Sequence, residues 1–97
     1  MPQPQAPLVH LNGTGRYSLS EGYSQAYRAL QKAIIALNHT APHPRDYYPL
    51  PEGAYAKAER EHQQRWDRLV AVREQLHELW RAVQDQSPVD AEAGRGA

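Results

Sequence analysis

Apolar residues recur along the chain in two periodic blocks separated by a proline-rich stretch. In the first, Leu19, Tyr23, Tyr27, Leu30, Ile34 and Leu37 follow one another at steps of three and four, the spacing that gathers side chains on one face of an α-helix. In the second, Tyr55, Ala58, His62, Trp66, Leu69, Val72, Leu76, Trp80 and Val83 keep a heptad-like spacing, as a helix with one continuous packing seam requires. The pattern predicts an all-α fold: a long two-helix antiparallel hairpin with an N-terminal extended arm.

Local signals set the expected boundaries. Ser18 and Glu21 have the spacing of a capping box, which starts the first helix at Leu19. Pro42 biases Ala41 away from helical geometry and ends it near His39. Gly22 is an internal weak point worth about 1 kcal/mol against alanine. Pro51 is pre-set for a first helical turn and Glu52 suits the positive end of the helix dipole. The second helix is therefore expected over 51–85, with Ser87-Pro88 as its stop. The connector "HTAPHPRDYYPLPEG" contains Pro42, Pro44, Pro49 and Pro51; it should be stiff and extended, and it is longer than a helical hairpin needs. The domain plan is a flexible proline- and glutamine-rich lead over 1–7, a hairpin domain over 8–86 with helices 19–39 and 51–85, and a disordered tail over 87–97.

The expected lengths are about 30 Å for the first helix and about 50 Å for the second. With the first helix beside the N-terminal part of the second, Leu76, Leu79, Trp80 and Val83 have no partner. A stripe of exposed Trp and Leu calls for a cover. Two covers are expected to contribute: the arm Leu8-Val9-His10-Leu11 and a second copy of the chain, giving a homo-oligomer with a dimer as the first expectation.

Composition narrows the function. The 97 residues suit one domain, and a chain of this size buries only about 60–65% of its unfolded surface, which favours self-association. Net charge is zero and the pI is near 7.0, with acids and bases interleaved, which argues against a dedicated binder of duplex DNA. The absence of cysteine excludes disulfides and thiolate metal sites. No apolar run is long enough to span a membrane, and "MPQPQAP" is not a secretory signal; the cytoplasm is the expected location.

Two short motifs carry the candidate chemistry. Asn12, Gly13, Thr14 and Arg16 lie in a glycine-containing turn just before a helix. Two readings fit it: a nest of backbone N–H groups that holds an anion while Arg16 closes over it, or a plain turn that sets the entry angle of the helix. Arg45, Asp46, Tyr47 and Tyr48 also allow two readings. The rings can stack on a base with Arg and Asp at its edge or phosphate, or they can pack over the open end of the hairpin. The histidines are spread out, and a pair such as His39 and His43 in the connector makes a poor metal site. His62 reads as a hydrogen-bonded core histidine, and His10 and His77 are expected to meet where the arm packs back. No nucleophile has a base at useful spacing and no carboxylate pair marks a cleft. Neither an enzyme, nor a cofactor, nor a metal is expected.

The order "VHLNGTG", an alanine- and leucine-rich helix, "PHPRDYYP", and a helix with "AEREHQQR" resembles a group of small phage-encoded proteins of unassigned function. In those proteins the first motif reads hydrophobic-His-Leu-Asn-Gly-Thr-Ser and the second Gly-Arg-Asp-Tyr-Tyr-Pro. The matching residues are His10, Leu11, Asn12, Gly13 and Thr14, then Arg45, Asp46, Tyr47, Tyr48 and Pro49, with Gly15 where serine is usual. The resemblance covers residues 8–84; it implies phage or prophage origin and carries no established activity. The expected function is that of a non-catalytic accessory protein. It would bind a small anionic ligand, such as a signalling nucleotide of host defence, at a site shared between subunits. The alternatives are a module that masks a host protein and a small virion or assembly component.

Overall fold

The computed structural model describes residues 3–86. The expected tail, 87–97, lies outside the described residues. Helix α1 spans Arg16–Asn38, a short 3-10 turn spans Pro44–Asp46, and helix α2 spans Ala54–Gln84. The described residues contain no strand. The two helices pack as the expected antiparallel hairpin, in a molecule with extents of 71 × 23 × 17 Å.

Both helix starts differ from the expected ones. The N-cap of α1 is Gly15, with no side-chain cap, and Ser18 lies inside the helix. Arg16 gives the reason: its guanidinium donates to the backbone carbonyl of Gln86, which fixes the first helical residue against the far end of α2. Glu21 accepts from Gln25 at 3.0 Å rather than closing a capping box. Helix α2 begins at Ala54 rather than Pro51 because Gly53 has φ 91°. That left-handed backbone breaks the helix before its N-terminal neighbours can join.

Four contacts set the register. Arg16 reaches Gln86, Ser20 Oγ donates to Gln84 Oε1 at 2.7 Å, Tyr27 and His77 have ring centroids 5.9 Å apart, and Arg73 donates to the Gln31 side chain. From Ser20 onward each advance along α1 is matched by an equal retreat along α2, which brings Asn38 opposite Trp66. Helix α1 thus lies beside the C-terminal half of α2, the reverse of the arrangement expected above. Leu76, Trp80 and Val83 face α1, and Val83 is fully buried. The uncovered part is the N-terminal end of α2, about 18 Å of helix from Ala54 to Arg65.

The long connector makes this offset possible, because it travels back along the free end of α2. It is not extended. Backbone N–H groups of Thr40, Ala41, Asp46, Tyr47, Tyr48 and Leu50 each donate to a carbonyl three or four residues earlier, so the segment is a chain of turns. Pro42 and Ala41 line a hollow with Glu59, Arg60 and His62, and Tyr47 packs on Tyr55 with centroids 6.0 Å apart.

The predicted seam residues are all buried or half-buried except Val72, which is 47% exposed. Arg73 takes the seam position instead. His62, Trp66, Leu69, Arg73, Leu76, Trp80 and Val83 alternate strictly at four and three, with Arg73 as the polar member. Only Ile34 and Val83 are buried among the described residues, Val83 completely, so most of the seam is closed on one side only.

Two glycines test this backbone description with opposite signs. Gly22 lies in mid-helix with open space where a Cβ would stand, so Gly22→Ala should stabilise by about 0.5–1 kcal/mol. Gly53→Ala meets no neighbour either, but its positive φ should make it cost about 1–2 kcal/mol. Urea titration of the two variants checks both signs.

Candidate functional site

The two sequence motifs occupy opposite ends of α1. At one end, the arm turns through His10–Gly13, where the Gly13 N–H donates to the His10 carbonyl at 3.2 Å. The His10 ring folds over Gly13, and a Cβ there would lie 2.7 Å from His10 Nε2. His77 sits between Tyr27 and Trp80 instead of meeting His10. Neither Gly13 nor Gly15 has a positive φ, so the turn lacks the right- and left-handed alternation from which a nest of N–H donors is built. Asn12, Gly13 and Thr14 are exposed, whereas Arg16 is half-buried and occupied with Gln86.

Gln86 is a latch that sequence reasoning missed. Its Oε1 accepts from the Val9 N–H at 2.8 Å, its Nε2 donates to the Pro7 carbonyl at 2.8 Å, and its own carbonyl accepts from Arg16. The arm is therefore docked on the C-terminus of α2, on the side where the sequence expected it. Pro4, Ala6 and Pro7 are half-buried, so the lead expected to be flexible is held from within residues 3–7. Leu8 and Leu11 remain 70% and 67% exposed.

At the other end, His43 Nδ1 accepts from the Arg45 N–H and caps the 3-10 turn. Arg45 and Asp46 are exposed and Tyr48 is 82% exposed. Tyr47 is half-buried against Tyr55. Desolvation raises the Tyr55 phenol above its ordinary 10.0, and the hydrogen bond to Glu59 and its charge add to this. The adjacent tyrosines thus have different duties: Tyr47 anchors the connector and Tyr48 projects from it. Further along α2, His62 Nδ1 is buried without a hydrogen-bond partner, unlike the satisfied core histidine expected there. No group of three metal-ligating side chains occurs among the described residues.

Between the ends runs a groove along the α1–α2 junction. One hollow of 330 Å³ is lined by Tyr23, Ser24, Tyr27, Arg28, His77 and Trp80. A second, of 480 Å³, adjoins it through Ser24 and Trp80 and continues to Arg16, Tyr17, Glu21 and Gln84. His77 and Trp80 are stacked, 6.1 Å apart and 20° from parallel. These residues come from both helices, so only the register brings them together. Their signal in the sequence is the aromatic content of the seam, which reads equally as core.

No family model matches the chain, and no curated protein or solved structure matches it.

The division of labour between Tyr47 and Tyr48 has a measurable consequence. Tyr47→Ala removes an aromatic pair and half-buried area and should cost about 1–2 kcal/mol. Tyr48→Ala should stay within about 0.5 kcal/mol of the parent. Equal urea midpoints for the two variants would contradict the assignment.

Proposed function

We propose that this chain is a non-catalytic accessory protein of the phage type that works by binding, as a homo-oligomer. Its ligand is a small anion, a signalling nucleotide being the concrete case, held between subunits by the two exposed motifs. The observation that carries this reading is the exposure of Asn12, Gly13, Thr14, Arg45, Asp46 and Tyr48. Apart from Gly13, which lies under the His10 ring, none of them is consumed by packing, and the last three stand on or beside an ordered 3-10 turn. Such preorganised display lowers the ordering cost of binding. Tyr47 and Arg16 act behind them as supports.

The two motifs are separated by α1, about 35 Å of helix, so one compact ligand cannot touch both within a hairpin. Two hairpins packed antiparallel bring the turn of one beside the connector of the other. The two-residue core supports such pairing, since a half-closed seam gains area by association. The phage assignment rests on the motif resemblance, and a location in the host cytoplasm follows from it. No described helix is long and apolar enough to cross a membrane.

A second reading is a module that masks a host protein. Leu8, Leu11, Ile35 and Val72, all exposed, favour it.

Melting the protein with a panel of nucleotides tests the first reading, because a ligand bound only by the folded state raises Tm. Asn12→Ala and Tyr48→Ala should each reduce the rise while leaving the Tm of the ligand-free protein nearly unchanged. Mixing them after subunit exchange should restore part of it, since a mixed dimer holds one intact site. No rise with any nucleotide would favour the masking reading, and a rise that mixing fails to restore would refute the shared site.

A further inference from the structure

We infer that the groove between α1 and α2 is a nucleotide site complete within one chain, separate from the loop motifs and independent of oligomerisation. A base would lie against the Tyr27–His77–Trp80 rings, with its phosphate at Arg28.

Four observations converge on this. The first hollow, at 330 Å³, has the volume of a small-ligand pocket. Its walls are aromatic faces drawn from both helices, with Tyr27 and His77 5.9 Å apart and His77 stacked on Trp80. Every nucleobase has a π-face, and stacking on such rings contributes about 1–3 kcal/mol per base. Tyr27, His77 and Trp80 are all only half-buried, so the rings keep accessible surface on the groove side. Finally, the charge is complementary to phosphate. Arg28 stands exposed at the rim, with Nη2 donating to Ser24 Oγ at 2.8 Å, which leaves most of its five N–H donors for a ligand. Glu21, the carboxylate that lines the second hollow, accepts from Gln25 and lies two turns of α1 away from Arg28. Arg16, at the far end of the second hollow, adds a further positive charge.

The ligand class follows from these features together. A purely apolar molecule would leave Arg28 without use, and inorganic phosphate would leave the rings without use. A planar base joined to a phosphate engages both. The second hollow continues the groove past Trp80, so a nucleotide with more than one phosphate or a second base also finds room.

Trp80 supplies the readout. In a Trp66→Phe background it is the only tryptophan, and a base stacking on it should quench its fluorescence. Titration with AMP should give saturable quenching, adenosine should bind more weakly, and inorganic phosphate should leave the signal unchanged. Arg28→Ala, an exposed change on α1, should weaken AMP binding roughly ten- to hundredfold, and Arg28→Lys should recover part of the loss. Asn12→Ala and Tyr48→Ala should leave the titration unchanged, which separates this site from the loop site proposed above. Should Trp66→Phe unfold the chain, the AMP-dependent rise in Tm of the chain with both tryptophans, compared with Arg28→Ala, gives the same decision. The inference is overturned if AMP and UMP at millimolar concentration neither quench Trp80 nor raise Tm. It is also overturned if Arg28→Ala binds AMP as well as the parent. A Trp80 signal that follows protein concentration alone would overturn it too, since a second copy of the chain would then fill the groove.

Discussion

Arg73 projects from the apolar seam of α2, and its guanidinium reaches Gln31 of α1. Its side chain is 20% exposed, and a charge that far out of water must find polar partners. Gln31 and the neighbouring carboxylate of Glu74 provide them, the latter at 3.1 Å. In the register of a tight hairpin, with Asn38 beside Ala54, the residue facing Arg73 would be Leu19. That arrangement would press the charge against an apolar side chain. A polar residue in an otherwise apolar seam is a known way to fix register at some cost in stability, and Arg73 with Gln31 has that role here.

The rest of the molecule follows from this register. Val83 and Trp80 gain α1 as their cover. Arg16 arrives at Gln86, whose side chain then ties down the arm through Pro7 and Val9. The N-terminal end of α2 loses the helix as a partner and takes the connector, with Tyr47 on Tyr55 and Pro42 beside His62. The loop motifs are thereby placed at opposite ends of α1, and the aromatic residues of both helices line one groove between them.

The faces of both helices were legible in the sequence because periodicity fixes direction around a helix axis. The register was not, because a repeating seam looks the same after a slip of one heptad. The length of the connector was the available clue: a tight hairpin has no use for fifteen residues, and these fifteen run back along α2. Ser18 misled as a cap because Ser-x-x-Glu marks helix starts only when nothing else anchors an earlier residue, and here the Arg16–Gln86 contact does. Arg73 went unnoticed because charged residues are counted as wet, although the strict four-three alternation of its neighbours includes it. The groove was invisible for the same reason as the register, since its walls belong to two helices whose alignment creates it. The exposed motif residues, by contrast, were legible as residues without a packing pattern of their own.

Cysteine cross-linking tests the register most directly. Ser20 and Gln84 touch across the junction and are not part of the apolar seam. In dilute protein, Ser20→Cys with Gln84→Cys should form an intrachain disulfide rapidly on mild oxidation. Ser20→Cys with Val72→Cys, the pair that a tight hairpin would bring together, should not. Cross-linking of the second pair and failure of the first would contradict the account.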